Sequence, residues 1–475
     1  MAKRMRGMRF AAMLLICAIA TQTHASTITV TNRNDGGPGS LRHALHDAND
    51  GDTITFAVTG MITLTSGGLP ITKNITISGP GADQLSIDGN QALLVLGIFP
   101  NKIAAIAGLT VRNGQIGIWN QGAPTTVSNC VVTGNAYEGF ANQGVLRVSN
   151  CTVSGNPGLG LYNDHAMLNV NDCVVSGNSY GGIYNNQVHG PSPAAIQSGN
   201  GRPDHRKSYA GPSSLEPSLT IENSIISDNS GPGVDNDSGV ATIDSSTISG
   251  NSNGNSGSQS GEGGGIYTHG TKLPGSLTVT NSTVSGNFAF SNGGGISSGF
   301  SGLTIVNSTI SGNSTGDPEY GYGGGVAATS VTIMNSTVSG NSASVCGGIC
   351  GGTVEIGNTI LDVNAPINIG GTVTSHGYNI SSDDGGGLLN GPGDQINTDP
   401  LLGPLQDNGG STLTHALLPG SPAIDAGDPN FTPPPFHDQR GPCFYRVFGR
   451  RIDVGSVETQ PGPRCPSPRP RPTPH

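Results

Sequence analysis

A short phrase, Asn-Ser-Thr-Val-Ser-Gly-Asn or a near relative, recurs nine times between Asn129 and Asn364. Its closing asparagines are Asn135, Asn156, Asn178, Asn229, Asn251, Asn287, Asn313, Asn341 and Asn364. Tight copies lie 21 to 23 residues apart, and the wider gaps read as the same period with a loop inserted. A fixed short period means a solenoid, because each unit buries its apolar face only by stacking on its neighbours.

The columns within the period define the conformation. Aliphatic residues sit four and two places before the phrase, as in Leu146/Val148, Leu168/Val170, Leu219/Ile221, Leu277/Val279 and Leu303/Ile305. Another apolar column runs through Val132, Val153, Val175, Ile226, Ile248, Val284, Ile310, Val338 and Leu361. Period-two alternation predicts strands with one face inward. The asparagines that open most copies (129, 150, 223, 281, 307, 335 and 358) interrupt it as corners would, since Asn tolerates left-handed geometry and its amides can stack along an axis. A further strand follows, marked by Gly and an aliphatic residue from Gly117-Ile118 to Gly348-Ile349. The 76 glycines fit close turns. The expected fold is all-β: a right-handed parallel β-helix of roughly eleven coils at about 4.8 Å each. Ser40 is placed to N-cap a short helix, with Leu41, Ala44, Leu45 and Ala48 inward, over the first coil's open edge.

The NSTxSGN…GGGI pattern resembles the repeats of right-handed parallel β-helix proteins, a fold shared by pectate lyases, tailspike enzymes and surface adhesins. Thr27 to Gln91, with GSLRHALHDANDGDTITF, resembles the N-terminal segment of polymorphic-outer-membrane-protein-like and CSLREA-type surface proteins. Residues 376–458, with HGYNIS, DPLLGPLQDNGG, HALLPGSPAIDAGD, DQRG and DVGSVE, resemble the choice-of-anchor Q domain, which implies a surface module. Together these resemblances cover nearly all of the mature chain.

The N-terminus predicts export. Lys3, Arg4, Arg6 and Arg9 precede the apolar run Phe10 to Ala20, and Thr23-His24-Ala25 offers a cleavage site before Ser26. No other stretch is long enough to span a bilayer, so the expected location is secreted, cell-surface or periplasmic. The expected layout is a signal peptide over 1–25, an N-terminal cap and first coils over 26–115, and repeats over 116–364. An insertion occupies 187–217, a C-terminal domain 365–458, and a Pro/Arg tail 459–475. Only 11% of residues are charged and the formal net charge is −10, which argues against nucleic-acid binding. A Ser/Thr/Asn/Gly surface suits hydrogen bonding to a polysaccharide or a cell-surface partner, by a monomer.

Seven cysteines remain after the signal. Cys130, Cys151 and Cys173 share the column of Ser224, Ser246, Ser282, Ser308 and Ser336, and should stack inside. A disulfide between two of them is geometrically open. Cys346 with Cys350, and Cys443 with Cys465, are disulfide candidates in an exported chain.

Immediately after the Gly-aliphatic pair, an outward column holds Trp119, Ala141, Tyr162, Tyr184, Asp235 and Tyr267. Its aromatics suit stacking against sugar rings or packing against the neighbouring coil. The insertion carries Arg202, His205, Arg206 and Lys207, either a solvated loop or an acid-binding site. Asp235-Asn236-Asp237-Ser238-Gly239 resembles the start of a calcium loop without its later Glu, and reads more economically as an Asp/Asn turn. No other cofactor is expected. No catalytic constellation is visible: Glu138, Asp164, Asp172 and Glu222 fall in scattered columns. Asp399, Asp407, His415, Asp425, Asp428, Asp438, Arg440 and Asp453 sit in turn-like phrases, as carboxylates bonded to backbone N–H groups would. The expected role is adhesion or glycan binding along one solenoid face. The alternative is a polysaccharide lyase or glycoside hydrolase with its site near the insertion.

Overall fold

The computed structural model describes residues 25–122, 124–186, 218–254, 261–270, 275–299 and 302–461. The expected signal segment (save Ala25), the insertion with Arg202, His205 and Arg206, and Cys465 therefore lie outside the described residues.

Alternation of inward aliphatics with outward polar residues produces short strands, and each strand pairs in parallel with its equivalent one turn on. Leu146 and Val148 align with Leu168 and Val170, and those align with Leu219 and Ile221. Val132, Val153 and Val175 align in the same way on a second sheet. The result is a parallel β-helix solenoid, with sheets of 23 and 13 strands running along its axis. Its core is a file of the predicted apolar columns, with Val132, Val153, Val175, Ile226, Ile248, Val284, Ile310, Val338 and Leu361 all at 0% exposure. Burying one such side chain stabilises by roughly 1.5–3 kcal/mol, so the repeated columns are the main cohesive force.

The corners follow from asparagine. Asn129, Asn150, Asn223, Asn281, Asn307, Asn335 and Asn358 all hold φ between 49° and 56°, the left-handed bend that Asn tolerates. The closing asparagines do more than mark a bend. Asn135, Asn156, Asn178, Asn229, Asn251, Asn287, Asn313, Asn341 and Asn364 are buried and form one continuous amide ladder. Each donates Nδ2 to the next Oδ1, for example Asn156 to Asn178 at 2.8 Å and Asn287 to Asn313 at 2.9 Å. Each Oδ1 also accepts the backbone N–H of the preceding rung, as Asn178 Oδ1 does from Asn156 N at 3.1 Å.

Cys130, Cys151 and Cys173 lie inside as free thiols at 1%, 3% and 0% exposure. Their column continues as a hydroxyl ladder, with Ser224 N donating to Ser246 Oγ and Ser246 N to Ser282 Oγ, both at 3.1 Å. Cys346 and Cys350 are joined in a disulfide. Cys443 is also disulfide-bonded, and its candidate partner Cys465 is outside the described residues.

Both ends are covered. The helix Leu41–Asp47 begins at Ser40, whose Oγ accepts from His43 N at 3.2 Å, and it buries Leu41, Ala44 and Leu45. At the other end the chain folds back along the hydroxyl face of the 13-stranded sheet. Thr283 Oγ1 donates to Leu413 O at 2.6 Å, Ser311 Oγ lies 2.9 Å from His415 Nε2, and Ser456 N donates to Thr337 Oγ1 at 3.1 Å. Gln439 Nε2 joins this seam, donating to Thr283 Oγ1 at 2.9 Å and to Thr412 Oγ1 at 3.0 Å.

The turn carboxylates of this segment hold backbone. Asp399, Asp407, Asp428 and Asp438 each accept the N–H two residues on, at 2.8–3.0 Å. Asp438 also pairs with Arg440 at 2.5 Å, with side chains 0% and 9% exposed. Among the described residues no helix is long and apolar enough to cross a membrane.

Candidate functional site

The outward column is in register. Trp119 aligns with Ala141, Ala141 with Tyr162, Tyr162 with Tyr184, Tyr184 with Asp235, and Asp235 with Tyr267. At roughly 4.8 Å per strand the column spans about 24 Å. The aromatics are interrupted at Ala141 and Asp235, so the four candidate rings form no unbroken stripe. Only Tyr162 and Tyr184 neighbour one another, stacked at 5.7 Å with 7° between planes. Tyr162 is 9% exposed and supports Tyr184, while Trp119, Tyr184 and Tyr267 are half-buried.

Two residues further along each strand, on the same face by strand periodicity, a polar column accompanies the rings. It contains Gln143, Asp164, Asn186, Asp237 and His269, with Asp164, Asn186, Asp237 and His269 aligned strand by strand. Its members are tied together. Gln143 Nε2 donates to Asp164 Oδ2 at 3.1 Å, and Asn186 Nδ2 donates to Asp164 Oδ1 at 3.3 Å and to Tyr162 Oη at 2.9 Å.

Between these columns an inward residue anchors each strand. Asn120, Asn142, Asn163, Asn185 and Asn236 form a second buried amide ladder, with successive Nδ2-to-Oδ1 distances of 2.8, 2.7, 2.6 and 2.6 Å. This ladder went unread in the sequence, although its signal was there: an Asn follows the outward residue in Gly-Ile-Trp-Asn120, Gly-Leu-Tyr-Asn163 and Gly-Val-Asp-Asn236. It fixes the outward side chains on a rigid sheet.

Asp235 and Asp237 occupy the strand Val234–Asp237, with the turn beginning only at Ser238, φ 58°. The turn expected over 235–239 is corrected accordingly, because pairing with the strands on either side holds Asp235 and Asp237 extended. Their carboxylates face a histidine from the next turn. His269 Nε2 lies 3.0 Å from Asp235 Oδ1, and Nδ1 lies 3.7 Å from Asp237 Oδ1. The His269 ring stacks on Tyr267 at 4.4 Å. Among the described residues no group of three or more His, Cys, Asp or Glu side chains is placed to hold a metal ion.

Burial pushes the Asp235 carboxyl up, opposed by its bond to His269. Burial alone would depress His269, but the Asp235 hydrogen bond and the Asp235 and Asp237 charges outweigh it and raise the imidazole. Tyr184 is pushed far up by burial and by the same two carboxylates, so it is a neutral phenol at physiological pH. The face can therefore offer aromatic surface, a phenol, amides and carboxylates at fixed spacing. Of the His269 ring nitrogens, Nε2 is hydrogen-bonded to Asp235 and Nδ1 lies beside the Asp237 carboxylate at 3.7 Å. Glu138, Asp172 and Glu222 take no place in these two columns.

No family model matches the chain, and no curated protein matches it. Solved structures resemble it at low identity. The pectate lyase Pel9A is 15% identical, with a TM-score of 0.40, covering 92% of this chain and 96% of that one. The A-module of the mannuronan C-5 epimerase AlgE6 from Azotobacter vinelandii is 14% identical, with a TM-score of 0.43, covering 77% and 95%. The catalytic unit of a GH87 α-1,3-glucanase from Streptomyces thermodiastaticus is 13% identical, with a TM-score of 0.34, covering 77% and 68%. At these scores the likeness carries no argument about what this chain binds.

Proposed function

We propose that the chain is an exported, non-catalytic glycan-binding β-helix that holds a polysaccharide or surface glycan along the face from Trp119 to His269. The observation that carries this reading is the pairing of two registered columns, one polar and one that carries four aromatics over six strands. Sugar rings present an apolar face ringed by hydroxyls, and such a face suits Trp119, Tyr184 and Tyr267 beside amide and carboxylate groups. The enzyme alternative is weaker here, because the carboxylates of this face are already engaged, Asp235 by His269 at 3.0 Å and Asp164 by His165 at 2.8 Å and by Gln143 at 3.1 Å. A general acid or base must reach the substrate's proton. The C-terminal segment, by its resemblance to the choice-of-anchor Q domain, serves as a surface module in this reading.

The test is retention of the mature protein on a panel of insoluble polysaccharides, with new chain ends scored in parallel. Wild type is expected to be retained without cleavage, and Tyr184→Ala with Trp119→Ala is expected to lose retention while keeping its melting temperature within a few degrees. Reproducible new chain ends would overturn the non-catalytic reading.

A further inference from the structure

A second recess lies away from that face. It is a cleft of about 450 Å³ at the corner where the strands Ile116–Asn120 and Glu138–Asn142 begin, whereas Trp119 stands near the far end of the first of these. Its lining includes Asp88, Asn90, Gln91, Asn113, Gln115 and Tyr137, drawn from three successive turns. Its polar side chains lie outside the repeating phrase, to which only Gly134 of the lining belongs, so the cleft differs from the regular solenoid surface.

The cleft is built rigidly from beneath. Asp88 accepts the backbone N–H of Asn90 at 2.9 Å and the Asn113 side-chain amide at 2.7 Å, and Arg112 Nε lies 3.4 Å from the same carboxylate. Asn90 and Gln91 are consecutive non-glycine residues at φ 46° and 65°, held there by Asp88 and by the bond from Gln91 N to Asn113 O at 2.7 Å. Consecutive left-handed residues cost energy, and such costs concentrate where a surface must take one shape. Gly114 keeps the floor low: a Cβ there would lie 2.6 Å from Val95 Cγ2.

What the cleft offers is specific. The side-chain amides of Asn90, Gln91 and Gln115 make no hydrogen bond with a described residue and stand at its rim. Each amide carries a donor and an acceptor, the pairing that vicinal hydroxyls satisfy. Tyr137 adds an aromatic ring. The single carboxylate is already engaged by Asn113 and Arg112, so the recess carries no unmatched charge with which to select an ion. Its volume falls in the range of small-molecule sites, roughly 300–1,000 Å³.

We propose that this cleft is a subsite for one or two units of a neutral saccharide, held by the Asn90, Gln91 and Gln115 amides against Tyr137. It does not depend on the glycan-binding face, because the two sites share no residue. The test uses the full mature chain, titrated by NMR with D-glucose, D-galactose, D-mannose, N-acetyl-D-glucosamine and a linear tetrasaccharide of each, and separately with calcium chloride. Side-chain amide signals of Gln91 and Gln115 are expected to shift with at least one saccharide and not with calcium. The double variant Gln91→Ala/Gln115→Ala, at solvent-facing positions, is expected to keep the wild-type circular dichroism and to weaken that binding about tenfold. Trp119→Ala is expected to leave it unchanged. The proposal is overturned if no saccharide shifts those amides, if calcium alone does so, or if the folded double variant binds like wild type. A loss confined to Trp119→Ala would assign the binding to the other face.

Discussion

Asn178 donates its side-chain amide to the side-chain Oδ1 of Asn229 at 2.9 Å, although 51 positions separate them in the chain. The rungs on either side, Asn156 to Asn178 and Asn229 to Asn251, are both 2.8 Å. The solenoid thus keeps its register across a long excursion of the chain, because each turn is indexed on the turn beneath it.

Replacing Asn229 by Ala removes an acceptor for Asn178 N and Nδ2, and the donor to Asn251 and to Val175 O. Buried polar partners left unmatched cost about 1–3 kcal/mol each, so a loss of about 3 kcal/mol is expected, measured by urea unfolding. A loss below about 0.5 kcal/mol would show that water replaces the rung.

The Asp235–His269 couple has a defined titration. His269 is raised above its ordinary 6.5, so it stabilises the fold below that value and the contribution is lost as pH rises through the folded-state value. Asp235, also raised, acts in the same direction from 3.8 upward. In Asp235→Asn, burial should dominate and the His269 midpoint should fall, as read by the NMR shift of its ring protons. The Glu262 charge also raises the imidazole, so an unchanged midpoint would mean that Asp237 and Glu262 suffice to hold the charge.

Glu458 gives the C-terminal segment a pH dependence of its own. Burial, with the nearby Asp453 charge, pushes its carboxyl from 4.5 up to about 8. The folded chain then binds a proton that the unfolded chain releases, so stability should decline by about 1.4 kcal/mol per pH unit as pH rises from 4.5 towards 8. Glu458→Gln should flatten this slope in thermal melts at pH 5, 6.5 and 8. A slope surviving in the variant would transfer it to Asp453, which is also raised.

Cys130, Cys151 and Cys173 should resist a water-soluble thiol reagent in the native state and react at the rate of unfolding. All three are buried; hydrogen bonds to the flanking thiols, with burial, push the Cys151 thiol up, while the bond from Cys151 lowers Cys130, whose protection rests on burial alone. Fast labelling of any of them without denaturant would place that column nearer solvent than described.

Much of this architecture is legible in the sequence. The valine and isoleucine columns, the left-handed asparagine corners and the Ser40 cap follow from local chemistry repeated at one period. The stacked thiols follow from the same alignment. What was not legible depends on register between loops of different length. Asp235 and His269 are 34 residues apart, and only the alignment of the strands Val234–Asp237 and Ile266–His269 brings them together. The cleft at Asp88 and Gln115 escaped for another reason: most of its polar side chains come from the turns before the first phrase, where the repeating residues are not yet in place. The seam made by Gln439, His415 and Ser456 is likewise a single event, with no periodic signature.

That seam has a consequence for how such a rod can change size. Its middle turns are interchangeable, so a whole turn can be added or lost there much as a washer is slipped onto a bolt. The closing segment is cut to one place, since Gln439, His415 and Ser456 each meet a particular threonine or serine. Adding or removing a turn between the caps therefore leaves the ladders intact, whereas a shift of the final piece by one turn would unmake each of these bonds.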